Sequence, residues 1–160
     1  MSVAFTKEDS AETAAETMLP DRPIPYGPNL VTEPGLRALE RHLSTARAAY
    51  DAAMTIEDVN ERRRQAANPF RDLRYFTERL RTAQVVPAPV SADNVSFGCT
   101  VTFERQDGRV QTYRIVGEDE ADPASGSISF ASPIARVLLG REVGDVVSLG
   151  EAELEVIAIS

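Results

Sequence analysis

The sequence predicts an α+β protein in two parts, an N-terminal antiparallel helical hairpin and a C-terminal antiparallel-sheet domain with one short helix. Three observations carry this expectation. Apolar residues recur at spacings of three and four over residues 36–53 and again over 66–80, as on a helix face. Residues 95–159 instead alternate apolar and polar positions in short runs parted by Gly and Asp turns, as strands do. Within that region Ser132-Pro133 marks one helix start, with a capping serine and a proline at the first helical position. The chain has 160 residues, 42% of them hydrophobic, enough for one ordinary domain and an appendage.

The elements follow in order. Residues 1–30 are expected to form a mobile tail. They are acidic, small and polar at Lys7-Glu8-Asp9-Ser10-Ala11-Glu12, and Pro20, Pro23, Pro25 and Pro28 then block helix and sheet alike. A docking segment that orders on a partner is the functional alternative for this stretch. Residues 31–86 read as the hairpin. Thr32 caps the first arm, whose seam is Leu36, Leu39, Leu43, Ala46, Tyr50 and Ala53. The second seam is Ala66, Phe70, Leu73, Thr77 and Leu80, with Pro69 inside the arm and expected to bend it. Arms of equal length put the turn near residues 56–61. Arg64, Arg71, Arg74 and Arg81 fall on one flank of the second arm, away from its seam.

Residues 87–160 form the second domain. A strand over 95–103 is followed by the turn Gln106-Asp107-Gly108 and a return strand over 110–116. Ile128 and Phe130 mark another strand. Ile134, Val137 and Leu138 share one face of the short helix, which Gly140 ends. Val143-Gly144-Asp145 is a turn, Val146-Val147 begins a strand, and residues 151–159 form the last one.

Composition excludes several function classes. The net charge is −8 and the pI near 4.7, which argues against wrapping a nucleic-acid backbone as the main activity. Cys99 stands alone in a strand pattern and reads as a buried, inert thiol. His42, the only histidine, sits beside the first seam with no ligand cluster around it. No apolar run approaches the ~20 residues that span a bilayer, and no leader pattern opens the chain, so a soluble cytoplasmic protein is expected. No Gly-rich phosphate loop and no Ser/His/Asp constellation is present.

The motifs of the second domain are more specific. Thr112-Tyr113-Arg114-Ile115-Val116-Gly117, then Glu118-Asp119-Glu120-Ala121-Asp122, Ser132-Pro133-Ile134-Ala135-Arg136 and Gly140-Arg141-Glu142-Val143-Gly144-Asp145 occur in sequence. With Val95-Ser96-Phe97-Gly98-Cys99 upstream, this series resembles the C-terminal domain of the bacterial GreA/GreB transcription elongation factors. The resemblance implies an FKBP-like fold for that domain and a coiled coil before it. In that family the coiled coil enters the secondary channel of RNA polymerase, and its tip bears an acidic motif of the form Asp-Leu-x-Glu-Asn-Ala. The tip acids help hold a second Mg²⁺ at the polymerase active site, where backtracked RNA is hydrolysed.

Carried onto this chain, the resemblance sets Asp58-Val59-Asn60-Glu61 against the tip motif, with Arg62-Arg63 where Asn-Ala is expected. The arms are about one heptad shorter each, or ~10 Å of helix. Asp58 and Glu61 are thereby implied as acids lent to the polymerase site, sharing Mg²⁺ only in the complex. The chain alone needs no cofactor and is not an enzyme. Ser132, Pro133 and Ile134 are implied in gripping polymerase, although Ala131 stands where GreB-like members have Asp. Arg64, Arg71, Arg74 and Arg81 are placed to follow nascent RNA, or else form a solvated face. The protein is expected to be a monomer with RNA polymerase as partner. Two alternatives remain, a channel-binding regulator that does not stimulate cleavage and, on fold analogy alone, a prolyl isomerase.

Overall fold

A computed structural model describes residues 18–160. The first 17 residues of the expected tail lie outside the described residues. Two compact units divide the chain: residues 1–27 with 39–82, and residues 28–38 with 83–160.

The hairpin unit is built on α1 (Glu33–Met54) and α2 (Val59–Thr82). The first residues of α1 belong to the sheet unit, and the helix continues into the hairpin unit. The turn occupies residues 55–58, overlapping the start of the 56–61 span that equal arms require. Pro69 lies within α2 rather than starting a helix. Along the first arm Leu39, Ala46 and Ala53 are buried, in keeping with the seam. The second seam needs correction. Ala66 is buried as expected, but Thr77 is exposed and Phe70 is 45% exposed. Tyr75, Phe76 and Arg79 are the buried positions instead. Phe76 stacks on His42 with ring centroids 4.9 Å apart, so the exposed histidine covers the buried phenylalanine.

The tail expectation also changes where the structure describes it. Arg22 stands 3.9 Å over the Tyr75 ring and pairs with Asp72 at 3.0 Å, while Asp21 pairs with Arg74 at 3.0 Å. These contacts hold residues 21–22 on α2, and the cation over the ring buries Tyr75, which no helical periodicity foretold. Further on, β1 (Asn29–Val31) is part of the sheet unit and pairs in parallel with β2 (Ala83–Val85).

The sheet unit holds five more strands: β3 (Thr100–Arg105), β4 (Val110–Val116), β5 (Ser127–Ser129), β6 (Val146–Leu149) and β7 (Ala152–Ile159). They form one sheet in the order β5-β4-β3-β7-β6. The expected antiparallel sheet is in fact mixed, because β5 runs parallel to β4. Strand alternation reports which face is buried and carries no information on direction. The chain makes the crossover through a 3₁₀ turn at Pro123–Ser125. The first strand is also shorter than expected and starts at Thr100. Gly98 has φ +86°, outside the range of a strand, and its N–H donates to Ile115 O at 2.7 Å. Val95 is nonetheless core, held by Arg141 O at 2.8 Å and by the Gly140 N–H at 2.7 Å. α3 (Pro133–Leu138) packs Ala135 and Leu138 into a cluster with Val101, Phe103, Ile115, Leu154 and Val156.

Two close approaches tie β1 and the start of α1 into this unit. A Cβ on Gly117 would stand 2.5 Å from Leu30 O, so only glycine lets the two backbones approach this closely. Thr32 caps α1 as expected, its Oγ1 accepting the Gly35 N–H at 3.0 Å. The same hydroxyl donates to the Glu120 carboxylate, at 2.7 Å from Oε1 and 2.6 Å from Oε2.

Candidate functional site

The hairpin turn is shaped by its own polar groups. α1 ends as the Thr55 hydroxyl donates to Ala52 O at 2.6 Å. α2 starts at Asp58, whose Oδ1 accepts the Glu61 N–H at 2.8 Å while its carbonyl accepts the Arg62 N–H at 2.9 Å. This is an N-cap, and it satisfies a donor that the first turn of a helix leaves open. Arg62 reaches back to Ile56 O at 3.1 Å and closes the turn from the other side.

Glu61 stands at the third helical position. Its side chain does not return to the cap but runs forward along the helix. Oε2 accepts from Arg64 at 2.6 Å and Oε1 from Gln65 at 2.9 Å. The Arg64 hydrogen bond first, and Gln65 after it, hold the Glu61 carboxyl below the usual carboxylate range. Asp58 and Glu61 therefore share one exposed helical turn as sequence spacing required. One is committed by a single oxygen to the backbone, the other by both oxygens to side chains.

The arginine flank is more engaged than its periodicity implied. Arg64 pairs with Glu61, Arg74 with Asp21 and Arg81 with Glu78. For Arg71, Nε is buried and has no hydrogen-bond partner among the described residues.

On the sheet unit, Ser132 has extended backbone and caps α3. Its Oγ accepts the Ala135 N–H at 3.3 Å and donates to Ser129 O at 2.7 Å. Pro133 occupies the first helical position and is exposed, whereas Ile134 is half-buried against the core cluster. A shallow concavity on this unit is lined by Glu104, Arg105, Gln106, Val146, Glu153 and Glu155. Four of those six side chains are charged.

Comparison with known proteins bears on this arrangement. The family model for "Transcription elongation factor, GreA/GreB, C-term" matches residues 90–160. The transcription elongation factor GreA of Desulfovibrio desulfuricans is 42% identical over 119 residues, a match covering 71% of this chain and 68% of that protein. The chain belongs to the GreA/GreB family. The transcription elongation factor GreB of Neisseria meningitidis serogroup B is 43% identical over 95 residues, covering 56% of this chain and 58% of the relative. Among solved structures, the GreA factor homolog 1 protein of Thermus thermophilus aligns at 25% identity and a TM-score of 0.39, over 84% of this chain and 99% of that one. The GreA/GreB elongation factor from Nitrosomonas europaea aligns at 18% identity and a TM-score of 0.40, over 82% and 98%.

In this GreA/GreB chain the residues singled out from sequence fall in separate places. Asp58, Glu61 and Arg64 meet at the hairpin turn. Ser132, Pro133 and Ile134 sit at the start of α3. Arg71 and Arg74 lie beside residues 18–22 rather than on an open flank. Sequence reasoning missed Arg22 and Glu120. An Asp-Arg pair after Pro20 and the acid run 118–120 were visible signals, but their partners are remote in sequence.

Proposed function

We propose that this protein is a transcription elongation factor that binds RNA polymerase at its secondary channel and promotes cleavage of backtracked RNA through its tip acids. The observation that carries this reading is an antiparallel hairpin whose exposed turn presents Asp58 and Glu61, joined to the domain that defines the family. The protein acts on the polymerase as a monomer and is not itself an enzyme. No helix among the described residues is long and apolar enough to cross a membrane.

The donor set at the turn suits a shared Mg²⁺. Carboxylate oxygens are the hard ligands Mg²⁺ prefers, and two carboxylates within one helical turn leave room for other donors. In this reading the ion is shared with the polymerase, which supplies its remaining ligands. When bound, it supplies a nucleophilic water at neutral pH. Asp58 offers Oδ2 while Oδ1 keeps the helix start. Glu61 offers an oxygen once Arg64 lets go. Pro133 presents an apolar surface to the polymerase, and Arg64, Arg71, Arg74 and Arg81 are the candidates for contact with nascent RNA.

One observation favours a second reading. Both Glu61 oxygens are already bonded, and Arg62-Arg63 replace the neutral pair of the motif. A factor that occupies the channel without stimulating cleavage fits that arrangement. RNA cleavage by a stalled, backtracked polymerase, with and without this protein, decides between them. Stimulation that falls ~10²-fold in Glu61→Gln, the scale of one catalytic group, supports the first reading. Wild-type protein that slows elongation and stimulates nothing supports the second.

A further inference from the structure

Two concavities adjoin on the hairpin unit, and Asp21, Arg71 and Arg74 line both. The larger, of about 630 Å³, has an apolar floor of Tyr50, Met54, Ala66, Ala67 and Phe70. Phe70 is 45% exposed and its ring centroid lies 5.7 Å from that of Tyr50, so aromatic surface is open there. The smaller, of about 470 Å³, is cationic, with Arg22, Arg47, Arg71 and Arg74 in its wall. Both volumes fall in the range of clefts that hold small molecules.

The charges in the smaller concavity are unevenly satisfied. Arg22 pairs with Asp72 and Arg74 with Asp21, and the other acid of the wall, Glu78, pairs with Arg81. Arg47 of α1 and Arg71 of α2 form no ion pair among the described residues, and the Arg71 Nε is buried without an acceptor. The acids are thus already neutralised, and two guanidinium groups from opposite arms are left for an anion from outside. Guanidinium donors match phosphate oxygens in pairs. The unpaired positive charge is gathered to one side of the apolar floor. A polyphosphate concentrates its charge in the same way, whereas an acidic peptide spaces its charges one side chain at a time. We propose that the hairpin binds a nucleoside triphosphate, with its base on the Phe70 and Tyr50 floor and its phosphates on Arg47 and Arg71. Arg71 stands where the two concavities meet, and so at the junction of base and phosphates. Stacking on an aromatic ring is worth about the same for every base, so the site discriminates weakly among nucleobases.

The test is calorimetric titration of the full chain with ATP, and separately with inorganic triphosphate, with adenosine and with a short single-stranded RNA. ATP is expected to bind at one site per chain, at least about tenfold tighter than triphosphate or adenosine, each of which fills one concavity alone. Arg47→Gln and Arg71→Gln should each weaken ATP about tenfold, the scale of one hydrogen-bonded charge. Arg47 is exposed, so its replacement leaves the fold intact and keeps the test valid should Arg71→Gln unfold the hairpin. Phe70→Leu should bring ATP close to the affinity of triphosphate. Absent ATP binding overturns the proposal. So does ATP that binds no tighter than triphosphate, which reduces the site to charge alone, or ATP binding that Arg47→Gln leaves unchanged. RNA that binds tighter than ATP also overturns it and assigns the surface to a polynucleotide. The titration contains no polymerase, so its outcome is independent of the function proposed above.

Discussion

Replacing Gly35 by alanine tests the latch at the start of α1. A Cβ at this position would lie 2.5 Å from Glu120 Oε2 and 3.2 Å from Thr32 Oγ1. Alanine in place of glycine inside a helix stabilises by at most ~1 kcal/mol. Against that, the Glu120 carboxylate must swing away and lose the Thr32 hydroxyl, a charge-assisted hydrogen bond of ~1.5–3 kcal/mol. The loss is larger than the gain, so Gly35→Ala should destabilise the protein by ~0.5–2 kcal/mol, the difference between those terms. In a Glu120→Ala background the obstructing oxygen is absent and the sign should reverse, with Gly35→Ala stabilising by up to ~1 kcal/mol. Urea unfolding of the four proteins, followed by circular dichroism, measures this coupling. Equal stabilisation by Gly35→Ala in both backgrounds would show that the carboxylate moves at no cost, and the latch would not be a source of stability.

The remaining predictions concern the two candidate sites. Arg64→Ala should raise the Glu61 pKa toward the ordinary carboxylate value, read by a carboxyl-carbon NMR titration; an unchanged value would mean Arg64 does not hold it down. Because the folded-state pKa is depressed, whatever stability this exposed pair adds is present above the unfolded carboxylate pKa and lost as the pH falls through the folded one. Asp58→Asn should leave the start of α2 intact, since asparagine caps as well as aspartate, whereas Asp58→Ala should cost ~1 kcal/mol in thermal or urea unfolding. Pro133→Glu should keep α3, because an acid suits the first helical turn, while weakening capture by RNA polymerase in a pull-down; undiminished capture would remove Pro133 from the docking surface.

Local signals were legible in the sequence and remote ones were not. Thr32 and Ser132 each announce a helix start through a side chain that bonds backbone three residues on, and both do so here, whereas the same role of Asp58 emerges only from the structure. The hairpin turn was fixed within a few residues by equal arm lengths. The second seam failed at Tyr75 and Phe76, because their burial depends on Arg22 and His42 and not on α2 alone. Arg79, 1% exposed, went unseen because arginine is so seldom buried. Strand positions were read from alternation, but the parallel β4–β5 pairing required the crossover path. At the tip, the spacing of Glu61 and Arg64 already allowed an ion pair along the helix. The same arginine served equally well as one member of a stripe, and periodicity alone gave no way to choose.

The turn illustrates how one acid can serve structure and chemistry together. Asp58 spends one oxygen on the helix start, where the N-terminal dipole favours a negative charge and the cap holds the side chain in place. That position is set by the chain itself and needs no metal. Glu61 is oriented differently, by a guanidinium and an amide from the next turn. Its charge is stabilised in the free protein, and any ion arriving with the polymerase competes with Arg64 for the same oxygens. Release is inexpensive, because the pair is exposed and screened by solvent. Arg64 is thus a weak counter-ion to Glu61 in the free chain, and under the function proposed above it is the contact that a cation shared with the polymerase would have to replace.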